Sequence, residues 1–249
     1  MNGLAATIEK LKELKLNGML KALQTTRETG LKSQFTADEM LAYLVDKEWD
    51  DRRNNKLARL LKNARLRYSA SLESLDFSLK RNIDKNMILR FADSQWITSK
   101  QNILITGPTG VGKSFIGCAI AHSACLNGFC AVYYHSTKLF AAARLAKANG
   151  TWLKESVKLN KNHVLIIDDF GLEPLERINK TILLEILEDR FDRNSTIILS
   201  QLPIARWYDF IGDKTLADAV CDRVLHNSFK IDLNGESVRK IFNSRSKNA

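Results

Sequence analysis

Gly107-Pro108-Thr109-Gly110-Val111-Gly112-Lys113-Ser114 satisfies the phosphate-loop pattern G-x-x-x-x-G-K-[ST] at every fixed position. An apolar run, Asn102-Ile103-Leu104-Ile105-Thr106, leads in and reads as a buried strand. A helical pattern, Phe115 to Leu126, leads out. Glycines let the backbone wrap closely and point successive N–H groups at phosphate oxygens. The following helix turns its positive end on the same anion. Lys113 is placed to reach the β- and γ-phosphates, and the Ser114 hydroxyl to hold Mg²⁺. The expected ligand is a nucleoside triphosphate, ATP, gripped by residues 107–114 and the next residue, Phe115.

His163-Val164-Leu165-Ile166-Ile167-Asp168-Asp169 supplies the other half of such a site. A continuous apolar run suits a central parallel strand buried on both faces. The adjacent carboxylates that end it repel each other unless a cation or water network sits there. Read plainly, the segment is a strand and an acidic turn. Read with the loop upstream, Asp168 joins the Mg²⁺ shell and Asp169 orients or deprotonates the attacking water.

Lys113 and Asp168 stand 55 residues apart (168 − 113), room for a further strand and helices. Cys130 to His135 reads as that strand and Thr137 to Ala148 as a helix. Lys180 to Arg193 is amphipathic, with Ile182, Leu183, Ile186, Leu187 and Phe191 on one face. Ser195 to Gln201 is a further strand with a polar end. Where nucleotide hydrolases carry an extra strand between their two Walker strands, that end lies beside the γ-phosphate. Gln201 is either the side chain there or an ordinary turn residue.

A chain of 249 residues holds one α/β domain and an appendage. No run approaches the ~18 apolar residues of a membrane span, and nothing resembles a signal peptide. The expectation is a soluble, cytoplasmic protein with no membrane partner. Cys118, Cys125, Cys130 and Cys221 lack C-x-x-C spacing and read as buried thiols.

The net charge is +10, which draws polyanions. Between Arg52 and Arg67 lie seven cations (Arg52, Arg53, Lys56, Arg59, Lys62, Arg65, Arg67) and no acid. Leu57, Leu60, Leu61, Ala64 and Tyr68 keep helical spacing there, so one stripe is buried and cations face elsewhere. DNA contact through Arg52, Arg53, Lys56, Arg59, Lys62 and Arg65 is one reading. Neutralisation by the acidic segment ahead (Asp38, Glu39, Asp46, Glu48, Asp50, Asp51) is the other.

Residues 1–70 read as an all-helical N-terminal domain that binds DNA or a partner. Within it one amphipathic helix begins at Leu4, Ile8, Leu11 and Leu14, runs toward Glu28, and ends at a glycine C-cap, Gly30. A second covers Ala37 to Asp51 and continues into the basic segment. Residues 71–249 read as the nucleotide domain, an α/β fold with a central parallel sheet flanked by helices. The 48 residues after Gln201 hold helices over Leu202–Phe210 and Thr215–Asn227 and a strand over Phe229–Leu233, too little for a helical lid domain.

Taken together, these residues resemble the IstB-like ATPases, the AAA+ helper proteins of insertion sequences whose transposase is IstA, relatives of the helicase loader DnaC. The likeness spans the whole chain. It is carried by Leu75-Asp76-Phe77, the 107–114 loop, Leu165 to Gly171 and Ser200-Gln201-Leu202-Pro203. Trp207, Asp222-Arg223-Val224-Leu225-His226 and Gly235-Glu236-Ser237-Val238-Arg239 complete it. The resemblance implies an ATP-dependent homo-oligomer on double-stranded DNA, with nucleotide between subunits, that prepares the target and recruits and activates the transposase. It makes Arg223 an arginine finger for a neighbour's γ-phosphate, where an ordinary surface ion pair is the alternative. It makes Arg239 a phosphate-sensing residue. Many AAA+ proteins carry Glu where this chain has Asp169, and Asn where it has Gln201. A DnaC-like helicase loader is the alternative function. A nucleotide kinase is a third, but it has no use for the Asp-Asp pair, the polar strand end or the Asp-Arg element.

Overall fold

The structure, a computed structural model, describes residues 3–30 and 35–238. The chain divides into two compact units, 1–59 and 60–249.

In the first unit, α1 (Gly3–Glu13) and α2 (Asn17–Glu28) precede α3, which runs from Ala37 to Ala64 and so continues through the basic segment. The single helix expected from Leu4 to Glu28 is broken at Lys15, which takes φ +56°. The break has a distant cause. The Glu48 carboxylate on α3 accepts hydrogen bonds from the Gly18 and Met19 amides at 2.8 and 3.2 Å, and so caps a new helix start. A Cβ on Gly18 would strike the Lys47 carbonyl, so only glycine lets the two helices approach this closely. Burial alone would raise the Glu48 carboxyl. Arg52, 2.6 Å away, and the two amides outweigh it and hold the group below its ordinary range.

In the second unit the apolar runs form a parallel sheet with order β2-β3-β4-β1-β5. The strands are β1 (Asn102–Thr106), β2 (Ala131–His135), β3 (Val164–Phe170), β4 (Ser195–Ser200) and β5 (Ser228–Asp232). β4 lies between β1 and β3, and β2, the strand read between Lys113 and Asp168, lies beyond β3. Strands β1 and β4 are buried throughout, because helices cover both faces. Helix α4 (Lys85–Leu89) and α5 (Gln95–Thr98) precede the sheet. The helix after the loop, α6 (Lys113–Leu126), packs so closely on β4 that a Cβ on Gly117 would meet Leu199 at 2.8 Å.

Helix α7 (Ser136–Ala148), α8 (Trp152–Asn160), α9 (Arg177–Arg190), α10 (Trp207–Ile211) and α11 (Lys214–Leu225) complete the unit. Leu139, Phe140, Leu165, Phe170, Ile182, Ile186, Trp207 and Val220 share one core. Phe191, expected on the buried face of α9, lies past its last turn and is 39% exposed. Cys118 and Cys125 are buried, whereas Cys130 and Cys221 are only half-buried. Among the described residues no helix is long and apolar enough to cross a membrane.

At the N-terminal edge of the sheet, Arg190 is enclosed, with no carboxylate partner among the described residues. Its guanidinium donates to the carbonyls of Leu159, Asn162, His163 and Ser195 and to the Thr196 hydroxyl. Burial pushes it down to about 9.

Glu48→Ala leaves two amides and Arg52 without their acceptor, which costs about 1–3 kcal/mol per buried unsatisfied group. Hydrogen exchange of the α2 amides should accelerate by tenfold or more. In the wild type this protection is present above the ordinary carboxyl pKa of about 4.5 and fades as pH falls through the depressed folded value. Unchanged α2 exchange in the variant would exclude Glu48 as the cap.

Candidate nucleotide-binding site

The phosphate loop leaves the C-terminal end of β1, and α6 begins at Lys113, so its first-turn N–H groups, those of Lys113, Ser114 and Phe115 among them, have no intrahelical acceptor. Gly107, Gly110 and Gly112 take φ of +142°, +85° and +103°, open only to glycine at little cost. The loop is walled on its outer side. A Cβ on Gly110 would strike the Ser237 hydroxyl, and the Val238 amide donates to the Gly110 carbonyl at 2.9 Å. The Gly235-Glu236-Ser237-Val238 element therefore lies against the loop. Arg239, which follows it, lies outside the described residues.

Lys113 is buried, and its ammonium donates to the Gly107 and Pro108 carbonyls at 2.7 and 2.9 Å. Burial lowers its pKa, against the charges of Asp169 and Asp168. Arg81 is a second buried cation here, and it lies in no motif that would have marked it. Nη1 donates to the Val111 carbonyl at 3.3 Å, Nη2 to the Asp76 carbonyl at 2.5 Å, and Nε has no partner among the described residues. Burial depresses Arg81 too, and Asp76 opposes the shift.

The two carboxylates reach one site through an irregularity. Consecutive residues of a regular strand point to opposite faces. Here the β3–β4 register shifts between Ile167 and Phe170, and Asp169 sits at φ +55°. Such a bulge re-aims one side chain. Asp168 Oδ2 accepts from the Tyr133 hydroxyl at 2.5 Å, and Asp168 Oδ1 from the Asp169 amide at 2.8 Å. Asp169 Oδ2 lies 3.1 Å from His135 Nε2. Arg67 Nη1 is 3.5 Å from a carboxylate oxygen of each aspartate. Burial raises the Tyr133 hydroxyl, and Asp168 adds to the shift.

Arg67, Tyr133 and His135 thus join the cluster although sequence reasoning assigned them no role in it. Arg67 stood among the cations of the basic helix. The structure corrects that placement by turning its side chain to the end of β3. Carboxylates that converge on one guanidinium also suit one metal ion, and their oxygens, with the Ser114 hydroxyl, are the hard donors Mg²⁺ takes.

At the end of β4, the Thr109 hydroxyl donates to Gln201 Oε1 at 2.6 Å, which brings Gln201 onto the loop. Arg223 is elsewhere. Its carbonyl accepts from Asn102 Nδ2 at 3.2 Å at the N-terminal end of β1, and its guanidinium pairs with Glu188 and the Ala219 carbonyl. The five residues of β1 separate that edge from the loop by about 13 Å. On α3 the side chains of Arg52, Arg53, Lys56, Arg59 and Lys62, and of Arg65 just past its end, are exposed. Arg52 pairs with Glu48, and Asp51 pairs with Lys21. Among the described residues no ion pair engages Arg53, Lys56, Arg59, Lys62 or Arg65.

A parallel sheet with a phosphate loop after one strand, paired carboxylates after another and a third strand between them defines an AAA+ P-loop nucleotide-binding protein. The chain belongs to the IstB-like ATP binding protein family, whose pattern matches residues 9–246. It is 41% identical over 234 residues to the insertion sequence ATP-binding protein y4pL of Sinorhizobium fredii (strain NBRC 101917 / NGR234), covering 94% of this chain and 96% of that one. The fold is shared with DnaI (21% identity, TM-score 0.56, 71% of this chain and 93% of that one). It is shared also with the DnaC helicase loader (16% identity, TM-score 0.55, 67% and 97%).

The left-handed backbone at residue 169 favours Asp and Asn over β-branched residues. Asp169→Asn should melt near the wild type, whereas Asp169→Val should be destabilised by about 1–3 kcal/mol. Equal melting of the two variants in thermal denaturation without nucleotide would refute a strained position 169.

Proposed function

We propose that the chain is a Mg²⁺-dependent ATPase that assembles as a homo-oligomer on double-stranded DNA in the bacterial cytoplasm, prepares the target and recruits and activates an IstA-type transposase. The observation that carries this reading is the arrangement of its polar side chains: Lys113, Asp168, Asp169 and Gln201 gather at one edge of the sheet, and Arg223 stands at the opposite edge. Arg223 cannot serve its own loop, so an Arg223 that acts does so on a neighbour. The 41% identity to an insertion sequence protein favours the helper over a helicase loader, with which the chain shares a fold at 16–21% identity.

In the proposed reaction, the loop amides and Lys113 bind the phosphates, displacing the Lys113 contacts to Gly107 and Pro108. Mg²⁺, held by Ser114 and Asp168, would neutralise charge on the β- and γ-phosphates. Asp169, oriented by His135, accepts a proton from the water that attacks the γ-phosphorus as the bond to ADP breaks. Gln201 holds that water or a γ-phosphate oxygen. Phosphate contacts by the helix cations would position DNA without reading its bases.

Asp169→Asn should bind ATP without hydrolysing it. Arg223→Ala should bind ATP but lose DNA-stimulated hydrolysis, since an arginine finger contributes about 10³–10⁵ in rate. Mixed oligomers of the two variants should recover phosphate release. No recovery, with mixed assembly verified, would rule out action across an interface.

Replacing Arg59, Lys62 and Arg65 by Ala should reduce the slope of log duplex affinity against log salt by up to roughly 3 per subunit. Affinity for unrelated sequences should fall about equally. The measurement is duplex binding at several salt concentrations with a non-hydrolysable ATP analogue. An unchanged slope would move the DNA contact off this helix.

A further inference from the structure

Helix α3 ends at Ala64, which is buried, and Arg65 turns the chain with φ +51°. The next residues lie on the loop helix. The Tyr68 ring meets that of Phe115 at 6.1 Å. The Arg67 guanidinium lies 5.5 Å from the Tyr68 ring centre and stands 3.5 Å from a carboxylate oxygen of each aspartate. One monovalent cation therefore faces two carboxylates, the place a divalent ion needs. Its side chain is still 39% exposed, so it has a route away. Arg65 and Lys62, cations of the same unit proposed to meet DNA phosphate, are two and five residues upstream.

We infer that Arg67 is a tethered counter-ion of the Asp168–Asp169 pair, which a divalent ion must displace and which bound DNA draws off. Without DNA, the guanidinium holds the carboxylates together and weakens their hold on a metal ion. Duplex phosphate beside Lys62 and Arg65 competes for the same guanidinium. Its departure leaves both carboxylates free for the ion. DNA occupancy is thereby read at the metal site through one side chain. The DNA step rests on the proposed role of the basic helix, whereas the counter-ion step does not.

The test measures Mn²⁺ binding, by electron paramagnetic resonance, to full-length protein saturated with AMPPCP, with and without duplex DNA. Duplex should tighten Mn²⁺ binding by wild type about tenfold, the scale on which a charge within 4–6 Å shifts a carboxylate's equilibria. Arg67→Gln should bind Mn²⁺ that tightly without DNA and gain nothing from it. Arg67→Lys, which keeps the charge, should behave like wild type. A packing role for Arg67 would instead move both variants together. Mn²⁺ affinity in Arg67→Gln equal to or weaker than wild type, with far-UV circular dichroism intact, overturns the proposal. Should Arg67→Gln not fold, wild-type Mn²⁺ affinity decides: no change on adding a duplex that demonstrably binds overturns the coupling. If the duplex does not bind wild type, the DNA reading fails, and the DNA-free comparison of variants still decides the counter-ion step.

Discussion

Two carboxylates on neighbouring residues at the buried end of a strand repel each other, and the second unit is arranged around that repulsion. A regular strand would separate them to opposite faces, where one would be lost to the site. The bulge at Asp169 brings both to one side, and they are then met by Arg67 from the turn after α3 and by Tyr133 and His135 from β2. Asp168 is wholly enclosed, so its oxygens need these donors. The shorter aspartate at position 169, where many AAA+ proteins carry Glu, suits a left-handed backbone that Asp tolerates better.

The phosphate loop shows the complementary arrangement. Lys113 and Arg81 are buried cations that rest on loop carbonyls. Carbonyl dipoles accept from both groups but do not neutralise their charge, and burial lowers the pKa of each. An anion in the loop would be met by positive charge already desolvated. The C-terminal Gly235–Val238 element closes the outer wall and leaves the loop little freedom to relax.

The far edge of the sheet is built with equal care for a different purpose. Arg190 ties the start of β4 to the end of α8 and the start of β3 through neutral acceptors alone. Asn102 ties the start of β1 to β4 and to the end of α11. Together they hold Arg223 on a rigid margin, opposite the nucleotide edge. A parallel sheet keeps its strand ends on two distinct margins, so the proposed action of Arg223 requires a second subunit.

Much of the second unit was legible in the sequence, because the signals are local. Strands β1 to β4 carry short apolar runs, the loop is a fixed pattern of glycines, and the residues between Lys113 and Asp168 leave room for a further strand, β2, ahead of β3. Gln201 was legible as the polar end of β4, and only the structure shows it accepting from Thr109 of the loop. What escaped depends on contacts between distant residues. The periodicity from Leu4 to Glu28 continues past Lys15, yet a carboxylate 30 residues away starts a new helix at its own cap. Arg67 continues the cationic spacing of α3, but the helix stops at Ala64, and the turn at Arg65 sends the next cation to carboxylates 101 and 102 residues away. Arg81, Tyr133 and His135 carry no motif, since their roles come from where the sheet and the loop bring them. Sequence determined which segments fold and which groups carry charge; tertiary structure alone decided which charges meet, because that depends on where chain ends and turns aim each side chain.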